Sequence, residues 1–230
     1  MKTRFIVPAV LLFSASAQAA EVSSTISFNS DYRFRGISQT AGDPAVQGSI
    51  DVGYDNGIYA GVWGSNVDFG DDANLEIDWY AGYGAEINDE LSWDATLYYY
   101  TYPGYNEVDG DYAELDLNLY YGDLNLEYAH SNDYFNTSET GQYIALNYSL
   151  GVTEEISIDL HAGRSFGDYW NGDLDINNYN DYSVGVSGSY AGIGLSAAYL
   201  LNNIKDGEKT DGNQPYANDD TLLLTISRTF

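Results

Sequence analysis

The amino-acid sequence predicts an all-β protein, an antiparallel up-and-down transmembrane β-barrel of about 12 strands. Three features indicate this fold. Apolar and polar side chains alternate along most segments, which places the two kinds on opposite faces of a strand. Clusters of Gly, Asn, Asp and Pro separate these segments. The connections alternate between long acidic loops and short turns, as they do in outer-membrane barrels.

Residues 1–19 have the composition of a secretory signal peptide. Lys2 and Arg4 form its positive end, Phe5–Phe13 the apolar stretch, and Ala17–Ala19 the small-residue cleavage site. The apolar stretch is too short for a transmembrane helix, which needs about 20 residues. We therefore expect cleavage after Ala19, leaving residues 20–230 as one barrel domain in the Gram-negative cell outer membrane.

The charge of the chain restricts its partners. It has 8 Lys and Arg against 35 Asp and Glu, a net charge of −27, and loss of residues 1–19 makes this −29. Nucleic acid is excluded as a partner because it requires a basic patch, and cations are favoured. The expected partners are outer-membrane lipid, small solutes or ions, and the barrel-assembly machinery during insertion.

The first predicted strand runs from Val22 to Gly36. Its apolar residues, such as Phe28, fall on one face, whereas Asp31, Arg33 and Arg35 fall on the other. A strand of this length is too long for a typical soluble sheet. It suits a membrane crossing with a water-filled lumen behind it.

The remaining strands repeat this alternation. Those with two predicted bounds are, in chain order, Ala45–Tyr54, Ile58–Val67, Leu75–Ile87, Leu91–Tyr102, Leu124–Ser131, Ile156–Phe166, Asp181–Tyr190 and Ile193–Leu201. Three more strands each follow a loop. One follows the loop Pro103–Gly110 and ends at Tyr121, one follows the loop Asn132–Thr140 and ends at Leu150, and the last follows the loop Asn202–Asp220. Asn56-Gly57, between the second and third strands, is the strongest type of short hairpin signal.

The chain ends on an aromatic residue, Phe230, which shares the face of Leu222, Leu224 and Ile226. An alternating last strand with a terminal aromatic residue resembles the recognition signal of the barrel-assembly machinery. We therefore predict that Phe230 acts as a membrane-insertion signal.

The alternation places almost every charged strand residue on the inner, pore-lining face. This predicted set is Asp31, Arg33, Arg35, Asp51, Glu76, Asp78, Asp94, Glu114, Asp116, Glu127 and Asp159. Arg164 and Arg228 fall on the outer face, near strand ends. Arg or Lys on the lipid face costs about 2–4 kcal/mol at mid-bilayer and about 0–1 kcal/mol near the interface. Long side chains near strand ends can reach the headgroups at this low cost.

Two interpretations of the inner charges stay open. Arg33 and Arg35 either divide the interior field into opposed patches, as at a pore constriction, or pair with lumenal carboxylates and hold the wall together. The carboxylates either favour cations in a pore or only solvate a wet interior. Twelve strands lie between the filled barrels of about 8 strands and the open porins of 16–18, so any conduit should be narrow.

Aromatic residues also have two predicted uses. One group, near strand ends or on the outer face, matches the aromatic girdles at membrane interfaces. This group is Tyr54, Tyr59, Trp63, Trp79, Trp93, Tyr99 and Tyr121. Tyr80, Tyr98 and Tyr120 face inward, where they serve the structure or line a path for a sugar or aromatic solute.

Catalysis and cofactor binding have little support in the sequence. His130 and His161 are the only histidines. His161 shares a face with Ser157, Asp159 and Ser165, as a barrel hydrolase would require. Residues two apart on a strand share a face by geometry alone, so we expect no enzyme. The acidic loops 168–181 and 206–220 lack EF-hand spacing, and we expect no metal and no cofactor.

Three motifs carry a family resemblance. They are Asn29–Thr40 (NSDYRFRGISQT), Pro44–Gly48 (PAVQG) and Tyr59–Val67 (YAGVWGSNV). With them, most of the mature chain resembles the TorF family of porin-like proteins, also known as Gcw_chp proteins. This resemblance implies an outer-membrane channel but identifies no solute.

The sequence therefore predicts a passive, narrow, cation-leaning outer-membrane channel for small hydrophilic solutes or ions. The main alternative is a non-conducting surface barrel whose long acidic loops, 167–180 and 202–220, bind a partner.

Overall fold

The structure is a computed structural model that describes residues 20–106, 109–171, 177–204 and 219–230. The predicted signal peptide, residues 1–19, lies outside the described residues. So do residues 172–176 and 205–218 of the two long acidic loops.

Within the described residues, twelve strands form a closed antiparallel barrel, which confirms the predicted fold. The barrel strands are β1 (Glu21–Asn29), β4 (Ala45–Gly53), β5 (Ile58–Asn66), β6 (Leu75–Glu86), β7 (Leu91–Thr101), β8 (Tyr112–Tyr121), β9 (Leu124–Ser131), β10 (Gly141–Gly151), β11 (Ile156–Phe166), β12 (Tyr179–Tyr190), β13 (Ile193–Asn202) and β14 (Thr221–Thr229). Two short strands, β2 (Arg33–Phe34) and β3 (Ile37–Ser38), form a separate hairpin. The connections that follow β1, β5, β7, β9, β11 and β13 all lie at one end, which we name the long-loop end.

The first and last barrel strands close the wall. β1 pairs with β4 on one side and with β14 on the other, where Thr25 lies opposite Thr229. The Phe230 backbone N–H donates to the Ser24 carbonyl oxygen at 2.9 Å, so the ladder continues to the last residue. Closure leaves no sheet edge with unpaired backbone groups, which a strand structure needs in order to cross a bilayer.

The outer face of the barrel is apolar. Leu97, Val186 and Leu224 leave 57%, 51% and 49% of their surface exposed at positions that alternate with inward side chains. Such a continuous apolar band is unfavourable in water and matches the hydrocarbon of a bilayer. Arg164 and Arg228 are exposed on this face near strand ends, and the Arg228 guanidinium lies 5.0 Å from the centre of the Phe230 ring.

The prediction of a first strand reaching Gly36 is wrong, because β1 ends at Asn29. The chain then folds into the barrel as Ser30–Thr40, which we name the inner segment. A tight turn joins its two short strands, with positive φ angles of 48° at Arg35 and 81° at Gly36. The Asp31 carboxylate stabilises the fold of this segment by accepting hydrogen bonds from Ser38 Oγ at 2.6 Å and Thr40 Oγ1 at 3.0 Å.

Buried aromatic residues fill the long-loop end beside the inner segment. This loop-end cluster comprises Tyr100, Tyr102, Tyr112, Tyr134, Tyr169, Trp170 and Tyr179, with Ile37 and Ile204. A single 3-10 turn, Tyr134–Asn136, and a one-turn helix, α1 (Asp168–Asn171), supply three of its rings. Tyr100 and Tyr112 stack with ring centres 4.6 Å apart. No helix among the described residues has the length and apolar character needed to cross a membrane.

Two adjacent alanines near the middle of β13 provide a test of which face meets lipid. Ala197 is exposed on the outer face and Ala198 faces inward. We expect Ala197→Arg to lower the free energy of unfolding by about 2–4 kcal/mol, because it places a charge in hydrocarbon. Ala198→Arg should cost much less, because it places the same charge in the polar lumen. Urea titration of both variants in lipid vesicles measures the difference, and equal losses would contradict the assignment.

Candidate functional site

The inner face of the barrel carries the predicted acidic set. The strand carboxylates that point inward are Asp51, Glu76, Asp78, Asp94, Glu114, Asp116, Glu127 and Asp159. The prediction that Asp31, Arg33 and Arg35 are strand residues of the wall is wrong. They belong to the inner segment, inside the barrel, and Arg33 forms an ion pair with Asp31 of the same segment. Whether this set lines a conduit stays a prediction.

Arg35 joins the inner segment to the acidic wall. Its guanidinium forms two parallel hydrogen bonds with the Glu114 carboxylate, each 2.8 Å long. The side chains of the pair are only 7% and 0% exposed. The guanidinium also lies 4.6 Å from the centre of the Phe34 ring and 4.5 Å from that of Tyr143. Bidentate pairing combined with aromatic faces is the geometry that suits arginine best.

The guanidinium of Arg35 stays protonated in this environment. Burial lowers the pKa of its guanidinium, but the Glu114 carboxylate and neighbouring groups raise it by more, so the net pKa lies well above its usual range. Arg35 is therefore a permanent cation within the lumen.

Further contacts hold the inner segment across the lumen. The Tyr179 hydroxyl donates to the Arg35 carbonyl oxygen at 2.9 Å, and Asn202 Nδ2 donates to the Gly36 carbonyl oxygen at 3.2 Å. A Cβ on Gly36 would lie 2.6 Å from Asp181 Cβ, so this close approach requires glycine. On the opposite wall, the Tyr32 ring lies 5.4 Å from that of Trp63. The segment thus narrows the lumen at the long-loop end.

Among the described residues, three tyrosines lie across a glycine of the next strand and donate their hydroxyl to an aspartate one strand further on. They are Tyr59 over Gly82 to Asp94, Tyr80 over Gly61 to Asp51, and Tyr143 over Gly163 to Asp181. A Cβ on these glycines would lie 2.0–2.5 Å from the tyrosine. The glycines therefore let the rings lie against the wall while the hydroxyls satisfy three lumenal carboxylates. Tyr59 therefore faces inward, and Trp63 also does, because its ring contacts Tyr32 of the inner segment. The prediction that these two residues belong to an outer girdle is wrong.

Other lumenal carboxylates have an oxygen without such a partner. Asp78 Oδ1, Asp116 Oδ1 and Glu76 Oε2 are buried and accept no hydrogen bond within the described residues. Asp78 is only 6% exposed. A buried anionic oxygen without a donor is costly, so these atoms are the positions at which the lumen would gain most from a cation.

His161 takes part in a polar network. Its Nε2 lies 2.7 Å from Asp181 Oδ1 and its Nδ1 lies 2.6 Å from Asn147 Oδ1. Both ring nitrogens therefore have partners other than a serine, which does not match a Ser–His arrangement. Asp159 accepts a hydrogen bond from Ser149 Oγ at 2.6 Å, on the neighbouring strand. Among the described residues, no group of His, Asp or Glu is arranged to hold a metal ion.

Three residues of the site, Asp181, Tyr143 and Tyr179, are not predicted from the sequence. Asp181 is the first residue of a predicted strand and does not belong to the predicted inner set. Its alternation with Ser183 and Ser187 was the available signal. The contacts of Tyr143 and Tyr179 with Arg35 depend on the folded inner segment, and no sequence pattern pointed to them.

Comparison with protein families finds a match for this chain. A family model described as "Bacterial protein of unknown function (Gcw_chp)" matches residues 14–230. A search of the curated proteins finds no match to this sequence.

Solved structures share the fold at low sequence identity. A KdgM porin in complex with disordered oligogalacturonate is 9% identical to this protein, with a TM-score of 0.57. The match covers 92% of this chain and 99% of the porin chain. A NanC porin is 10% identical, with 91% and 99% coverage and a TM-score of 0.56. An outer membrane channel from Pseudomonas putida F1 is 11% identical, with 95% and 98% coverage and a TM-score of 0.53. At these identities, the similarity establishes the barrel architecture.

Proposed function

The chain belongs to the Gcw_chp family of bacterial proteins, and we propose that it is an outer-membrane channel for the passive diffusion of small hydrophilic solutes or ions, with a preference for cations. The observation that carries this proposal is the division of the closed wall into an apolar outer face and an inner face rich in carboxylates. Rings of Asp and Glu favour cations in a pore. The porin fold of the similar structures agrees with a channel.

The negative charge of the lumen argues against the transport of acidic sugars. The KdgM porin was solved with oligogalacturonate, a chain of carboxylated sugars. In this barrel Arg33 and Arg35 are already paired with Asp31 and Glu114. The other lumenal carboxylates would repel an anionic chain, so we propose cationic or neutral solutes instead.

The proposal assigns export and insertion to the two ends of the chain. We propose that residues 1–19 direct secretion and are removed after Ala19, and that the machinery for barrel assembly reads Phe230. The exposed position of Phe230, directly after β14 and on the outer side of the barrel, supports this role. The apolar outer face would then contact outer-membrane lipid.

The inner segment sets the expected size of the conduit. Together with the loop-end cluster it fills the long-loop end, where Ser38 and Thr40 are buried inside the barrel. Toward the other end, inward residues such as Asp94, Asn118 and Ser157 are partly exposed. We therefore expect a low basal conductance, limited at the inner segment.

The packed long-loop end also supports a second candidate function. A non-conducting barrel could present the loops 167–180 and 202–220 to a partner. Residues 172–176 and 205–218 of these loops lie outside the described residues. The proposal of a partner therefore rests on the filled lumen alone.

Planar-bilayer recording of the refolded mature protein distinguishes the two functions. A channel should give discrete single-channel steps in potassium chloride, smaller than those of a 16-stranded porin because its barrel is narrower. A protein that inserts into the bilayer without any current steps would contradict the channel and favour the surface barrel. The characteristic heat-dependent mobility of a folded barrel on a gel shows that the recorded protein is native.

A further inference from the structure

The contacts of Arg35 indicate which chemical group the lumen can bind. Its planar cation is bound edge-on by the two oxygens of Glu114 and lies over the rings of Phe34 and Tyr143. The carboxylate and Tyr143 belong to the wall, so most of this environment is independent of the inner segment. A solute that carries the same planar cation would find the same kinds of hydrogen-bond acceptor and aromatic face.

The lumen has more buried carboxylates than Arg35 can neutralise. Glu114 is flanked on β8 by Asp116, and Asp78 lies on β6, on the other side of β7. Asp78 Oδ1 and Asp116 Oδ1 are buried and have no hydrogen-bond partner among the described residues. Asp78 is more than nine-tenths buried and points into the lumen. A further cation that reached these two oxygens would supply the hydrogen-bond donors that they lack.

Aromatic rings lie between the two free carboxylates. Tyr98 and Tyr100, both on β7, stack with ring centres 5.8 Å apart. In the register of the barrel, Tyr100 lies opposite Asp78, and Tyr98 lies opposite Glu114. The arrangement of carboxylate and aromatic face around Arg35 therefore recurs on the neighbouring wall.

We infer that Asp78, Asp116 and the Tyr98–Tyr100 stack form a lumenal binding site for solutes that carry a guanidinium or a similar planar organic cation. This inference rests on the proposed channel function and names its solute class. A guanidinium suits the site better than an ammonium does, because it is more weakly hydrated, presents several donors in one plane and stacks on aromatic rings. The Arg35 side chain is itself a guanidinium that a carboxylate and aromatic rings bind in the same lumen.

Titration of the refolded protein in detergent micelles tests the site without requiring conduction. The probes are the methyl esters of L-arginine, L-lysine and L-citrulline. The first two have equal charge, and citrulline keeps the planar shape of arginine without its side-chain charge. We expect calorimetry to show binding of arginine methyl ester, binding of the lysine ester at least about tenfold weaker, and the weakest binding for the citrulline ester.

Variants then locate the binding. Asp78→Asn and Asp116→Asn should each weaken binding of arginine methyl ester about tenfold, because each removes one of the two free anionic groups. Asp89→Asn, in an exposed turn outside the lumen, makes the same change of charge and should leave the affinity unchanged. Heat-dependent gel mobility identifies any variant that fails to fold. The comparison of the three esters with the unmodified protein stands without the variants.

Several results would overturn the inference. They are equal affinities for the arginine and lysine esters, equal affinities for the arginine and citrulline esters, or unchanged affinity in both folded Asp→Asn variants. Failure of the channel proposal looks different: arginine methyl ester binds in micelles, but the bilayer shows no current. Current in potassium chloride without ester binding rejects the solute class and leaves the channel standing.

Discussion

Arg35→Ala is expected to raise the single-channel conductance several-fold. The substitution removes the bidentate pair with Glu114 and the contacts with the Phe34 and Tyr143 rings. The inner segment then keeps only weaker anchors, such as the Tyr32–Trp63 contact, and should leave the lumen for part of the time. Single-channel recording in potassium chloride measures the change.

The control for this prediction removes an arginine from the outer face. Arg164→Ala changes the net charge equally, but Arg164 is exposed and donates a hydrogen bond to Asn180 Oδ1 on the adjacent strand. It should leave the conductance unchanged. If Arg35→Ala also leaves it unchanged in a folded barrel, the inner segment is not the constriction.

Glu114→Gln is expected to cost about 3–5 kcal/mol of stability, because it leaves the buried Arg35 cation without its counter-charge. Glu114 is fully buried and also accepts a hydrogen bond from the Tyr100 hydroxyl at 3.2 Å, so water cannot easily replace the carboxylate. Urea-induced unfolding in lipid vesicles, followed by tryptophan fluorescence, gives the difference.

A second pair of variants shows whether the loss comes from the ion pair. Glu127→Gln also neutralises an inward carboxylate, on β9, but in the described part of the chain the bidentate pair with arginine is made by Glu114 and not by Glu127. It should cost much less. Combining Glu114→Gln with Arg35→Met should recover much of the stability, because the unpaired cation is then removed as well. An equal loss in Glu114→Gln and Glu127→Gln would mean that the pair contributes little.

The wall of this protein could be predicted closely from its sequence. β9 and β11 have the predicted bounds, and most other strands differ by one or two residues. The reason is that each strand is half exposed to lipid and half to the lumen, so alternation continues through its whole length. Short signals such as Asn56-Gly57 then fix where one strand ends and the next begins.

The inner segment could not be predicted in the same way, because its residues also alternate. Asp31, Arg33 and Arg35 continue the pattern of β1, yet β1 ends at Asn29. What ends the strand is a set of tertiary contacts, including a pair between Arg35 and a carboxylate 79 residues away. Gly36 was the one local signal, since glycine readily adopts the positive φ found there.

The candidate site, like the inner segment, could be predicted from the sequence only in part. Alternation identified which carboxylates face inward, but not which of them are already satisfied. Asp51 and Asp94 accept hydrogen bonds from tyrosine hydroxyls of other strands, whereas Asp78 and Asp116 each keep one oxygen that has no partner in the part of the chain that the structure describes. That distinction depends on which glycine of the next strand a tyrosine crosses, and therefore on the register of the closed barrel.

The most direct test of the central claim, an acidic lumen that admits cations, is the reversal potential of the mature protein in a bilayer between concentrated and dilute potassium chloride. If potassium passes more readily than chloride, the dilute side becomes positive at zero current, and the Arg33→Ala, Arg35→Ala double variant becomes more strongly so. A dilute side that becomes negative would contradict the account, because chloride would then be the preferred ion in a barrel lined with carboxylates.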